Sequence, residues 1–95
     1  MRNLLIVEDD KSLLPLLSYN LQKNGFNITS CETGEEAWLL LKEKKFDLAL
    51  IDWMIPPPTG IKICKMIRQN KLLKNLPLIL LTAKSEDDDK ILGLN

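Results

Sequence analysis

Three runs of consecutive apolar residues constrain this chain most: LLIV at 4–7, LALI at 48–51 within FDLALID, and LILL at 78–81. A run without polar alternation cannot turn one face to water, so a strand made from it must be covered on both faces. Each run stops on a polar group: Glu8-Asp9-Asp10 after the first, Asp52 after the second, Thr82 after the third. A carboxylate in that position must meet water, a cation or a hydrogen-bond donor, since burying it alone costs on the order of several kcal/mol.

Between the runs the apolar period changes from continuous to helical. Leu13, Leu16, Leu17 and Leu21 recur at helical spacing from Ser12 to Asn24, where Asn24-Gly25 signals a stop. Ser12 is a candidate cap, which would put Pro15 in the first turn, where a missing N–H does little harm. NITSC at 27–31 reads as a more polar edge strand. Thr33 and Glu36 have capping-box spacing and open a helix bearing Ala37, Trp38, Leu40 and Leu41, which runs out near Lys44. A further helix is expected over Gly60–Gln69 and a last one over Ser85–Gly93, the latter with acids in its first turn. Strands alternating with helices over short connections predict an α/β fold with a parallel sheet between helical layers, in one domain over 1–95.

Ligands of such sheets bind beyond the carboxyl ends of the strands. Those ends bring Glu8, Asp9, Asp10, Asp52 and Thr82 to one rim. Crowded carboxylates repel, and a hard divalent cation is the simplest way to keep them ionised. Singly, each residue reads as a solvated turn or cap, and Asp10 could be merely that. Together they point to a shared cation or phosphate site. Nucleotide-cradling motifs are absent: there is no G-x-x-x-x-G-K-[ST], and no G-x-G-x-x-G follows the first strand. Phosphatases with a nucleophilic Asp usually carry a second Asp two residues on, where this chain has Met54.

Composition removes other classes. Thirteen basic and thirteen acidic residues cancel, so no overall field draws the chain to nucleic acid or an anionic membrane. The absence of histidine excludes histidine metal ligands and Ser–His or Cys–His nucleophile pairs. Cys31 and Cys64 form no CxxC unit and read as buried small hydrophobes in a reducing, cytoplasmic setting. No apolar stretch has the length of a membrane span or a signal peptide.

In order and spacing, IVEDD, LALIDWMIPPPTG and LILLTA resemble the receiver domain of two-component response regulators, over Asn3 to the end of the chain. Asp52-Trp53-Met54 with its following prolines, Gly60 and Leu81-Thr82-Ala83 look like the phosphate-regulon branch of the winged-helix transcription factors. The resemblance implies a flavodoxin-like, doubly wound sheet in strand order 2-1-3-4. It implies that Asp52 accepts a phosphoryl group from a sensor histidine kinase, with Mg2+ as cofactor. Asp9 and Asp52 would ligate the metal directly, Met54 through its backbone carbonyl and Glu8 through water. Thr82 would hydrogen-bond the phosphoryl group and Ala83 would leave room beside it. Pro56 and Gly60 would set the loop geometry, while Pro57 and Pro58 read equally as a stiff but idle turn. Trp53 reads as a packing residue.

A complete receiver also has a fifth strand, with a lysine that reaches the phosphoryl group, and a fifth helix. The resemblance covers neither here, nor a DNA-binding output domain through which DNA would be contacted. The expectation is therefore a C-terminally incomplete receiver with an exposed edge on the fourth strand and one sheet face left bare, open to homodimer or other intermolecular pairing. Three functions fit: a phosphoacceptor signalling domain with at most weak autodephosphorylation, a non-switching interaction module, and an inactive fragment.

Overall fold

The computed structural model describes residues 2–81 in full and the backbone of Ile91–Leu94. The elements run β1 (Arg2–Val7), α1 (Leu13–Lys23), β2 (Phe26–Cys31), α2 (Gly34–Glu43), β3 (Leu48–Asp52), α3 (Gly60–Gln69), β4 (Leu78–Leu81) and β5 (Ile91–Leu94). β2, β1, β3 and β4 pair in parallel in that order, and β2 is an edge strand, as its polar sequence suggested. The flavodoxin-like order 2-1-3-4 is therefore present.

The apolar runs feed two cores because successive side chains of a strand point to opposite faces. Leu5, Val7, Ala49, Ile51, Leu78 and Leu80 face α2 and α3, where Ala37, Leu41, Ile63, Cys64 and Ile67 complete a buried cluster. Burying a side chain such as Ile63 or Ile67 contributes roughly 1.5–3 kcal/mol. The other face is thinner. Leu4, Ile6 and Leu50 are buried there against α1, whose Leu14, Leu17 and Leu21 are only partly buried. α1 has no fully buried residue, and Leu48, Ile79 and Leu81 on this face also keep part of their surface exposed.

Capping follows the expectation at α2, departs from it at α1, and adds an unforeseen cap at α3. Thr33 Oγ1 accepts from the Glu36 N–H at 3.1 Å, and the Glu36 carboxylate accepts from the Thr33 hydroxyl and the Glu32 N–H. Thr59 caps α3 by accepting from the Lys62 N–H at 3.3 Å. Ser12, expected to cap α1, makes no capping bond and already has helical dihedrals. Asp10 does that work: its Oδ1 accepts from the N–H groups of Ser12 at 2.8 Å and Leu13 at 3.1 Å. A carboxylate reaching two free N–H groups outcompetes a hydroxyl one residue from the helix.

The expectation for the C-terminal segment needs correcting. The helix foreseen over Ser85–Gly93 includes residues 91–93, which belong to β5, paired antiparallel with β4 from Leu81↔Ile91 to Leu78↔Leu94. Residues 85–90 lie outside the described residues. β4 therefore does not present the open edge expected of it: its unpaired backbone groups recruit the apolar ILGL segment of the same chain.

Candidate functional site

Parallel register builds the site. Val7 lies opposite Ile51 in the β1–β3 ladder, so the residues that follow, Glu8 and Asp52, emerge side by side at the carboxyl end of the sheet. Asp52 itself pairs with Leu81 of β4, and the Trp53 N–H donates to the Leu81 carbonyl at 2.9 Å. The Glu8 N–H donates to the Cys31 carbonyl of β2 at 3.0 Å, tying the acidic turn to the sheet on its other side.

Carboxylate oxygens of Glu8, Asp9 and Asp52 all lie within 4.8 Å of one another. Glu8 and Asp52 are each 1% exposed, whereas Asp9 is half-buried. At an effective dielectric of 20, two unit charges at that separation repel by about 3 kcal/mol, so three ionised carboxylates there call for positive charge. The donor set, three hard carboxylate oxygens, fits magnesium or another hard divalent cation, not a soft metal.

Backbone N–H groups fix two of the acids. Glu8 Oε2 accepts from the Asp10 N–H at 3.0 Å, and Asp52 Oδ1 accepts from the Met54 N–H at 3.3 Å. Met54 is 62% exposed at the rim, and Trp53 is 40% exposed beside it. Ile55 turns inward to 5% exposure and anchors the loop in the core below α2 and α3. Pro56 and Pro57 are exposed, and the Pro57–Pro58 peptide is cis. Gly60, the first residue of α3, closes the loop: its N–H donates to the Trp53 carbonyl at 3.0 Å. A Cβ there would collide with the Asp52 carbonyl oxygen and sit 2.7 Å from Trp53 Cα, so only glycine admits this closure.

The structure thus gathers Glu8, Asp9, Asp52, Met54, Pro56 and Gly60 at one end of the sheet, with Asp10 beside them as a helix cap. Thr82 and Ala83 lie outside the described residues. Sequence reasoning ranked Asp9 over Glu8 but did not foresee that Glu8 would be the enclosed acid. Leu4 to Val7 are buried on both faces, so alternation along β1 did not by itself distinguish Glu8 from Asp9. Sequence reasoning also missed Thr59, although a threonine directly before a helical run is a cap signature.

Both thiols are buried. Burial first, then the negative charges of Glu36 and Glu32, pushes Cys31 up to about 12. Burial likewise raises Cys64, with Arg68 opposing it. Both are free cysteines. No described helix is long and apolar enough to cross a membrane.

Comparison with known proteins accords with this geometry. The profile of the response regulator receiver domain family matches residues 4–95. The chain is 42% identical over 93 residues to the alkaline phosphatase synthesis transcriptional regulatory protein PhoP of Bacillus subtilis, covering 98% of this chain and 38% of that protein. It is 40% identical over 89 residues to the phosphate regulon transcriptional regulatory protein PhoB of Rhizobium meliloti, covering 94% and 39%. The chain therefore spans about two fifths of the length of these relatives. The Francisella response regulator 1452 receiver domain superposes with a TM-score of 0.81 at 32% identity, over 92% of this chain and 71% of that one. The receiver domain of the sensor histidine kinase PA1611 from Pseudomonas aeruginosa, solved with a magnesium ion in its active-site cleft, gives a TM-score of 0.83 at 25% identity. It covers 90% of this chain and 70% of that one.

Proposed function

Because this chain belongs to the response regulator receiver domain family, we propose that it is a phosphoacceptor signalling domain in which Asp52 takes a phosphoryl group from a histidine kinase. The observation that carries this reading is the convergence of Glu8, Asp9 and Asp52 within 4.8 Å at the carboxyl end of the sheet. In the proposed step an Asp52 carboxylate oxygen attacks phosphorus in line. The O–P bond forms as the N–P bond of the donor phosphoimidazole breaks, and the departing imidazole nitrogen takes up a proton. No histidine occurs among these 95 residues, so the donor imidazole is not one of them.

Asp9 and Asp52, the Met54 carbonyl, and Glu8 through water are the groups proposed to hold Mg2+. That ion would supply the positive charge that offsets the phosphoryl oxygens in the transition state. The Met54 N–H on Asp52 Oδ1 orients the nucleophile. The enclosed position of Asp52 keeps bulk water off the carboxylate. Thr82, with Ala83 leaving space beside it, is proposed to bind the phosphoryl group. The relatives' names support a place in biology for this proposal: a cytoplasmic receiver, paired with a sensor kinase and acting on transcription through an output domain, as in phosphate-responsive regulators.

The test is exposure to acetyl phosphate with Mg2+ beside an Asp52→Ala control, read by intact mass spectrometry. Addition of one phosphate that disappears in the control supports the reading. No addition while Mg2+ still quenches Trp53 fluorescence would sink phosphoacceptance and leave an interaction module. Neither response would leave no functional metal site.

A further inference from the structure

The loop that carries Met54 is braced from behind by a helix that supplies no carboxylate to the site. The Gly34 N–H, in the first turn of α2, donates to the Pro56 carbonyl at 3.1 Å. A Cβ at Gly34 would overlap the Pro58 carbonyl oxygen and lie 2.9 Å from the Pro58 carbonyl carbon. These are backbone atoms, so no side-chain rotation relieves the collision. Three successive prolines, Pro56 to Pro58, fix φ along the braced stretch and leave it few ways to bend locally. On its other side the loop is tied to the nucleophile, through Met54 N–H on Asp52 Oδ1 and Gly60 N–H on the Trp53 carbonyl. Displacement at Pro58 is thus passed toward Met54.

Resting on the reading above, we infer that Gly34 is a positioning residue for the divalent-cation site. Its missing side chain lets α2 press against Pro56–Pro58 and so fixes where the Met54 carbonyl stands relative to Asp52. Mg2+ demands near-ideal octahedral ligands, so its affinity is the property most sensitive to such a shift. α2 holds this position firmly, because the Thr33–Glu36 cap and the buried Ala37 seat its first turn and Leu41 buries its last.

The test titrates Mg2+ against Trp53 fluorescence in a Trp38→Phe background. Gly34→Ala is compared with Ile28→Val, a core change on the opposite sheet face that lowers stability without touching the loop. Gly34→Ala is expected to raise the Mg2+ midpoint by roughly 10-fold or more, the range of outer-shell changes at metal sites. Ile28→Val leaves it unchanged. Phosphoryl acceptance by Gly34→Ala from acetyl phosphate is expected to be slow at low Mg2+ and to recover at saturation. A purely structural role predicts no such split.

A folded Gly34→Ala protein with the parental Mg2+ midpoint overturns the inference, and so does an equal shift in Ile28→Val. If Gly34→Ala does not melt cooperatively, Pro56→Gly replaces it, loosening the loop at the braced carbonyl. Weaker Mg2+ binding is then expected, and parental binding is the contrary result. A parent chain that ignores Mg2+ removes the metal site and this inference together, whereas a responsive parent with an indifferent Gly34→Ala removes the inference alone.

Discussion

Asp9 is half-buried in the acidic cluster, while Glu8 and Asp52 are enclosed. Neutralising Asp9 relieves repulsion in the metal-free protein and, on the proposed reading, removes a ligand from the loaded one. Asp9→Asn is therefore expected to raise the melting temperature in chelator, by about 1 kcal/mol of stability after allowing for solvent screening, and to weaken Mg2+ binding steeply. Thermal scans with and without Mg2+ check both signs. Cys31 gives a pH dependence. Below pH 9.0, its ordinary value, the thiol is protonated in folded and unfolded chains alike and stability does not depend on it. Above that, the unfolded chain releases the proton while the folded chain holds it up to about 12, so stability falls as pH rises across this window. A Cys31→Ala variant is expected to lose less melting temperature over the same alkaline range. At neutral pH neither buried thiol should react with iodoacetamide until denaturant is added.

Helix caps divide sharply by what they bond. Thr33→Ala removes an observed bond at α2 and is expected to cost about 1 kcal/mol in denaturant unfolding, whereas Ser12→Ala removes none and should be near neutral. At this scale the sequence was informative where a signal was local. The Thr33–Glu36 spacing, the apolar runs and the Gly60 helix start are nearest-neighbour patterns, and the structure contains all of them. Asp10 displaced Ser12 because the choice depends on how the chain leaves β1. β5 was missed because ILGL, read alone, continues a helical pattern. Its strand state comes from an edge whose unpaired groups are visible only once β4 is placed. The acids at the ends of the first and third strands were legible in the sequence, while the burial order among them required the β1–β3 register.

At the scale of the whole chain, the proposed cation site would link metal binding to folding through these carboxylates. If the folded chain alone binds Mg2+, a concentration about 100 times Kd stabilises it by about 2.7 kcal/mol, and EDTA reverses the gain. Asp52→Ala is expected to abolish that response in calorimetry. The two faces of the sheet are unequal: a dense cluster lies under α2 and α3, and a sparse one under α1, which buries no residue fully. Backbone amides report such inequality as exchange with deuterium. Amides of α1 are expected to exchange through a local opening well below the global unfolding free energy, and those of α3 and β3 only with the whole chain. α1 leaves Asp10 at its foot, so each excursion frees the turn that carries Glu8 and Asp9. The acidic turn is therefore expected to open at the rate of its least anchored helix, and occupancy by a cation should slow the deuteration of α1, which supplies no carboxylate to the cluster.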